Sequence, residues 1–222
     1  MALASNGEKI ANRAAVRTPL IFLLSPASSA GKRAGLVYND SAEFVLALKV
    51  RTAAGAPLGE VFSFLSGLYF RGKLTYAREF ARPPNGVSGI HIITPTDGLS
   101  DPERPISLAD LKRFAEVAID AREPRYRLPL ERSARALAGA IGSRCDVVLL
   151  GSVATDKYVE VLEPIFGERL LFPVDFVGQG DMYRGGLMLR RVASGKELDY
   201  VPVSDSARQG KQERKTLRGD RS

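Results

Sequence analysis

The chain has 222 residues, of which 45% are hydrophobic and 26% are charged, and its formal net charge is +7. This length is enough for one domain with a substantial core. A single cysteine, Cys145, excludes an internal disulfide and a cysteine metal cluster, and a single histidine, His91, poorly supplies a Ser-His-Asp triad or a histidine metal site.

Hydropathy along the chain indicates neither a membrane span nor a secretion signal. No apolar run approaches the roughly 20 residues that a membrane helix needs. Residues 1–18 also lack the apolar segment of a secretory signal. The sequence therefore predicts a cytoplasmic protein without a membrane partner. No metal or cofactor is predicted, and the oligomeric state is left open.

The positive charge is concentrated at the two ends of the chain. Residues 1–18 carry a net charge of +2 and residues 204–222 carry +3, which leaves +2 for the residues between them. Because Leu217 is its only large apolar residue, the C-terminal segment cannot build a core. We therefore expect a flexible segment at 1–18, an α/β domain at 19–203 and a disordered basic tail at 204–222. That tail would either touch nucleic acid or an anionic surface, or only keep the protein soluble.

Within the domain, short apolar runs alternate with helical patterns. The predicted strands, in chain order, are residues 19–24, 89–93, 147–150 and 170–172, with a weaker candidate at 198–203. The clearest helical patterns are residues 62–80, 108–118 and 130–141. Gly67 or Gly72 could divide the first of these helices, and Ser107 with Asp110 predicts a capping arrangement for the second. Strands separated by helices predict a single-domain α/β fold, with a mostly parallel sheet flanked by helices on both faces.

Small and polar residues follow each predicted strand. Ligands of parallel sheets bind at the loops that leave the carboxyl ends of the strands, so these loops should form one site. The first loop, residues 25–33, is not a phosphate-binding P-loop, because Pro26 stands at the first glycine position and Arg33 at the hydroxyl position. It still offers Ser25 and Lys32 to a ligand, although its serines suit plain turn and helix-cap roles equally well.

The other loops add hydroxyls, cations and carboxylates. The candidate ligand-binding residues of these loops are Asp97, Ser152, Thr155, Lys157, Tyr158, Gln179 and Arg184. Asp175 is the candidate catalytic residue, since a loop carboxylate can activate water beside a sugar carbon; a turn-forming role is the alternative. Asp181 is expected to cap the helix that begins near Met182. The tyrosines are expected to be core residues more often than base-stacking ones.

Four segments together have a family likeness. Residues 24–27 (LSPA), 65–69 (LSGLY), 151–158 (GSVATDKY) and 184–188 (RGGLM) resemble, in the same order, segments of the peroxide-stress YaaA family. Residues 69–77 and 94–99 are also similar to a related set of small uncharacterised bacterial proteins, with Asp97 in the position of a histidine. The resemblance implies an α/β fold reminiscent of DNA glycosylases, a role in oxidative stress, and DNA binding.

Three functional hypotheses follow. The first is a protein of the YaaA type that binds nucleic acid or a nucleobase, with or without glycosylase-like N-glycosidic chemistry. The second is a non-enzymatic stress or interaction protein whose loops bind a nucleotide or an anion. The third is a hydrolase or transferase acting on a small metabolite, because this fold class supports many chemistries.

Overall fold

A parallel sheet with helices on both faces forms the centre of the protein. The computed structural model describes residues 18–153 and 156–204, so the predicted flexible start and almost all of the predicted basic tail lie outside the described residues. The strands are β1 (Leu20–Leu24), β2 (Ala56–Pro57), β3 (Ile90–Thr94), β4 (Gly98–Ser100), β5 (Pro105–Ile106), β6 (Asp146–Leu150), β7 (Leu170–Pro173) and β8 (Tyr200–Pro202). The helices are α1 (Lys32–Tyr38), α2 (Val45–Arg51), α3 (Leu58–Ser66), α4 (Leu68–Phe80), α5 (Leu108–Ala115), α6 (Pro124–Ile141), α7 (Asp156–Phe166) and α8 (Asp181–Ser194).

The main sheet confirms the predicted α/β architecture. Its strand order is β4-β3-β1-β6-β7-β8, in which β3, β1, β6 and β7 run parallel and the two edge strands run antiparallel to their neighbours. β1 is fully buried and pairs with β6 along its whole length, from Leu20 beside Asp146 to Leu24 beside Leu150. The chain leaves β1 toward β3 on one side and later reaches β6 on the other. Parallel sheets open a crevice for ligands where the winding direction reverses in this way.

The helices cover the sheet in two groups. α4 packs against α8 and β1, whereas α6 packs against α7, β3 and β4. The buried face of α6 follows the predicted period, with Leu130, Ala134, Leu137 and Ile141 all pointing inward. None of the helices within the described ranges combines the length and the hydropathy needed to cross a bilayer.

Local signals in the sequence set several helix boundaries. Gly67, with a φ of 63°, separates α3 from α4, which confirms the predicted break at the first of the two candidate glycines. At the start of α5 the Ser107 hydroxyl accepts from the Asp110 amide, and the Asp110 carboxylate accepts from the Ser107 amide. This is the predicted capping box, with aspartate replacing the usual glutamate.

Glycines allow α4 and α8 to touch backbone to backbone. A Cβ atom on Gly72 would lie 2.7 Å from the carbonyl oxygen of Gly185, and one on Gly185 would lie 3.0 Å from the backbone of Leu68 and Tyr69. Side chains at either position would therefore force the two helices apart. Because of this close approach, the first turn of α8 lies beside the first turn of α4, next to the carboxyl ends of the strands.

His91 is a hydrogen-bonded residue of β3. It is half-buried in β3, and its Nε2 atom lies 3.0 Å from the carbonyl oxygen of Ser88, to which it must donate. Burial lowers the pKa of this imidazole, opposed by the bond to Ser88. Its hydrogen bond therefore fixes it within the sheet.

Candidate functional site

The loops that leave β1 and β6 meet at the point where the sheet reverses its winding. The Ser25 amide donates to the carbonyl oxygen of Leu150, which ties the end of β1 to the end of β6. Gly151 follows at once, and a Cβ atom there would lie 3.0 Å from the Cβ atom of Ser25. The absence of a side chain at Gly151 thus leaves room for Ser25 beside the crevice.

A cavity of about 290 Å³ opens at this junction. Its polar lining consists of two tyrosines, four serines and one aspartate: Tyr69, Tyr158, Ser25, Ser28, Ser66, Ser152 and Asp181. These residues come from the β1 loop, the α3–α4 junction, the β6 loop and the starts of α7 and α8. The volume is at the lower end of the range for small-molecule sites, so it suits a small ligand.

A buried lysine supports the floor of this cavity. Lys73 is 1% exposed, and its Nζ atom donates to the carbonyl oxygen of Ser25 at 2.6 Å and to the Ser25 Oγ atom at 2.8 Å. The same Nζ atom lies 4.4 Å from the ring centre of Tyr69 and 4.8 Å from that of Phe70. Aromatic faces and hydroxyls therefore surround the amine, and within the described part of the chain no carboxylate forms an ion pair with it.

Burial of the charged Lys73 amine lowers the free energy of unfolding. Burial lowers the pKa of Lys73 to about 7; the charge of Arg184 acts in the same direction, and that of Asp181 acts against it. A lysine that titrates near neutral pH can give and accept protons under physiological conditions. Such a group behind a cavity is a mark of a functional site, since a purely structural position would be filled more stably by an apolar side chain.

Tyr69 brings an unbonded hydroxyl to the same cavity. The residue is 8% exposed, and its hydroxyl makes no hydrogen bond of normal geometry with the described residues. Burial raises the pKa of Tyr69, whereas the neighbouring Arg184 opposes that rise. Because buried polar atoms are nearly always bonded, this hydroxyl marks a place for a ligand atom.

Three of the predicted binding residues line the cavity, and a fourth lies close to it. Ser25, Ser152 and Tyr158 are part of the lining. Arg184 lies one turn into α8, where its guanidinium stacks on Phe176 and donates to the Phe176 carbonyl oxygen, while its charge still acts on Tyr69 and Lys73. The structure thus brings these four predicted residues together near the carboxyl ends of β1 and β6.

The remaining predicted binding residues lie apart from the lining. Asp97 accepts from Arg104 and Arg113 and so joins the β3–β4 turn to α5. Lys157 faces a wider depression of about 450 Å³, whose acidic and basic residues Asp120 and Arg122 pair with each other. Lys32 and Gln179 are exposed outside the cavity. Thr155 is outside the described residues.

The two candidate carboxylates differ in their surroundings. Asp175 lies in the 3-10 turn Val174–Phe176 and accepts from Arg191 at 3.5 Å, away from the cavity lining. Asp181 lines the cavity and is the first residue of α8, so the N-cap position belongs to Gly180. The cavity lining therefore includes Asp181 and not Asp175. The capping role expected for Asp181 is wrong, because Gly180 is the N-cap residue and no side chain caps α8.

Sequence reasoning missed Lys73 and expected Tyr69 to be a core residue. A signal was present, because Tyr69, Phe70 and Lys73 occupy one helical face that continues through buried Leu74 and Ala77. A lysine on such an apolar face is exceptional and indicates a buried amine. Among the described residues, no three His, Cys, Asp or Glu side chains are grouped closely enough to hold a metal ion.

Similarity to known proteins was compared at three levels. Neither known protein families, nor curated proteins, nor solved structures include a match to this chain.

Proposed function

We propose that the cavity between the β1 and β6 loops binds a nucleobase, presented by a nucleoside or by DNA, and that the protein cleaves the N-glycosidic bond. The buried, unbonded hydroxyl of Tyr69 carries this proposal. Nucleobases offer both a flat π face and ring acceptors, which match a lining of tyrosines and hydroxyls. The YaaA resemblance supports the same ligand class and extends the proposal to a role in oxidative stress.

Asp181 supplies the carboxylate that the reaction needs. Hydrolysis of an N-glycosidic bond requires a group that removes a proton from water as water attacks the sugar carbon. Asp181 lies at the rim of the cavity and is exposed to solvent, so it can hold a water molecule beside a bound sugar.

Binding is tested first by titrating a panel of nucleobases and nucleosides in a calorimeter. Tyr69→Phe should weaken the ligand that binds by about 3- to 10-fold, because one hydrogen bond is lost. The same variant should melt at or above the temperature of the wild type, since the deleted hydroxyl makes no hydrogen bond of normal geometry with the described residues. No binding by the wild-type protein to any member of the panel would refute the proposal.

Catalysis is tested by following base release from nucleosides and from DNA containing uracil, xanthine or oxidised bases. Asp181→Asn should lower turnover by about 100- to 10,000-fold with binding largely kept. Asp175→Asn is the matched control and should leave turnover within about threefold, because that carboxylate pairs with Arg191 instead. Binding without base release after long incubation would leave a non-enzymatic binding protein as the correct interpretation.

A further inference from the structure

Lys73 and Ser25 form a hydrogen-bonded pair that ends at the cavity. Lys73 Nζ donates to Ser25 Oγ at 2.8 Å. Since a charged lysine has donors only, the Ser25 hydroxyl accepts this bond and must direct its own proton elsewhere. Ser25 lines the cavity, so the direction of donation is from Lys73 through Ser25 to a ligand atom there.

We propose that Lys73 and Ser25 form a proton relay that acts as the general acid for the departing nucleobase. This inference rests on the proposed N-glycosidic activity and assigns its second half. Cleavage needs a proton for the base nitrogen as well as a carboxylate for water. Lys73 is 1% exposed, and Ser25, which lines the cavity, is 5% exposed, so the proton passes along a path shielded from bulk solvent.

Cleavage of the N-glycosidic bond and proton transfer along the relay occur in one concerted step. The bond between the sugar carbon and the base nitrogen breaks, and its electron pair goes to the nitrogen. Ser25 gives its hydroxyl proton to that nitrogen, and Lys73 gives an ammonium proton to Ser25. On the other face of the sugar, water forms the new carbon–oxygen bond and loses a proton to Asp181. The cycle closes when that proton returns from Asp181 to Lys73 through solvent.

The surroundings of Lys73 suit a proton donor. The groups that face the amine are Tyr69 on its own helix, Asp181 and Arg184 on α8, and the β1 loop at Ser25. With burial as the main cause, they hold the pKa of Lys73 near 7. An acid of this strength donates far more readily at neutral pH than a solvent-exposed lysine does.

The test compares two leaving groups on the same sugar. One substrate is the nucleoside that the wild-type protein cleaves fastest, and the other is the 4-nitrophenyl glycoside of that sugar, whose leaving group departs without a proton. Lys73→Met and Ser25→Ala should each lower turnover of the nucleoside by about 100-fold or more, yet lower that of the nitrophenyl glycoside by less than about 10-fold. Lys112→Met removes an exposed lysine of α5 and should change neither rate.

A pH profile gives a second readout. Because only protonated Lys73 can donate, nucleoside cleavage should fall as pH rises through about 7, whereas cleavage of the nitrophenyl glycoside should show no such fall. Ser25→Ala keeps the lysine, so it guards against a general folding defect in Lys73→Met; circular dichroism checks both variants. The retained nitrophenyl activity shows that Asp181 and the cavity still work.

Several results would overturn the relay. Equal losses on both substrates would make Lys73 and Ser25 structural supports, while base release by the wild type would still uphold the proposed function. Covalent labelling of Ser25 by a fluorophosphonate probe would make Ser25 a nucleophile and the protein an acyl-transfer enzyme. A wild-type protein that cleaves neither substrate would refute the proposed function itself and the relay with it.

Discussion

Replacing Lys73 with methionine should change how the stability of the protein depends on pH. The lysine is fully buried, and its pKa is lowered from an ordinary value of 10.5 to about 7 in the folded protein. Between these two values the unfolded chain binds more protons than the folded one, so raising the pH favours folding. Below pH 7 both states are protonated and the penalty is constant, and above pH 10.5 neither is protonated and the penalty vanishes.

The magnitude follows from the size of the shift. Each pKa unit corresponds to about 1.4 kcal/mol, so the charged lysine lowers the free energy of unfolding by about 4–5 kcal/mol near neutral pH and by about 2 kcal/mol at pH 9. The stability of the wild type relative to Lys73→Met should therefore rise by about 2–3 kcal/mol between pH 6 and pH 9. Other titrating groups are common to both proteins and cancel in this difference.

Urea denaturation followed by circular dichroism at pH 6, 7, 8 and 9 measures this quantity. Lys112→Met, which removes an exposed lysine, should track the wild type at every pH. The difference between wild type and Lys73→Met is the informative number, because the absolute effect also includes the hydrogen bonds that Ser25 loses. A difference that stays flat from pH 6 to pH 9 would show that Lys73 keeps an ordinary pKa, and the reasoning about the buried amine would be refuted.

Four further substitutions test helix packing, helix capping and the ion pairs of Asp97. Gly185→Ala should destabilise the protein by about 1–3 kcal/mol because its Cβ atom would meet the backbone of α4. Gly186→Ala should be neutral or stabilise the protein by up to about 1 kcal/mol, because its Cβ atom would meet only the flexible end of an arginine side chain. Thermal melting of both variants compares them. Ser107→Ala should lower the free energy of unfolding by about 1 kcal/mol through loss of the capping box, measured by urea denaturation. Asp97→Asn weakens the pairs with Arg104 and Arg113, and it should cost under about 1 kcal/mol and leave ligand affinity unchanged in calorimetry. A loss of affinity in this last variant would bring Asp97 back into the site.

The burial of Lys73 without an ion-pair partner among the described residues is unusual for a lysine. Proteins rarely keep an ionisable amine in the interior without a carboxylate partner, because an apolar side chain of similar size would be more stable. Lys73 is retained beside a cavity, beneath a serine and two aromatic rings. This is the pattern expected when stability is given up for function.

The site occupies the place that the topology makes available. β1 and β6 are neighbours in the sheet but are far apart in the chain, and the winding reverses between them. Their loops therefore diverge and leave a crevice, which the first turns of α4, α7 and α8 close from the sides. Loops at such a position can vary in sequence without disturbing the sheet, so chemistry must be argued from the side chains rather than from the fold.

The sequence by itself determined the parallel strands of the main sheet and the buried face of its longest helix. Apolar runs predicted β1, β3, β6 and β7, and the periodicity of α6 predicted its buried face. Gly67 and the Ser107 capping box marked helix boundaries correctly. These signals can be recognised in the sequence because strand burial, helical period and turn chemistry each depend on about ten consecutive residues.

Only the tertiary structure decided which side chains share the cavity. Lys73 and Ser25 are 48 positions apart in the chain, and no local pattern shows that their side chains meet. The choice of Asp181 over Asp175 likewise depends on where α8 begins and on the close approach of Gly185 to α4. The contact between Lys73 and Ser25 and the position of Asp181 both follow from packing between elements distant in sequence, which local periodicity does not encode. The desolvation that lowers the pKa of Lys73 exists only once that packing has formed.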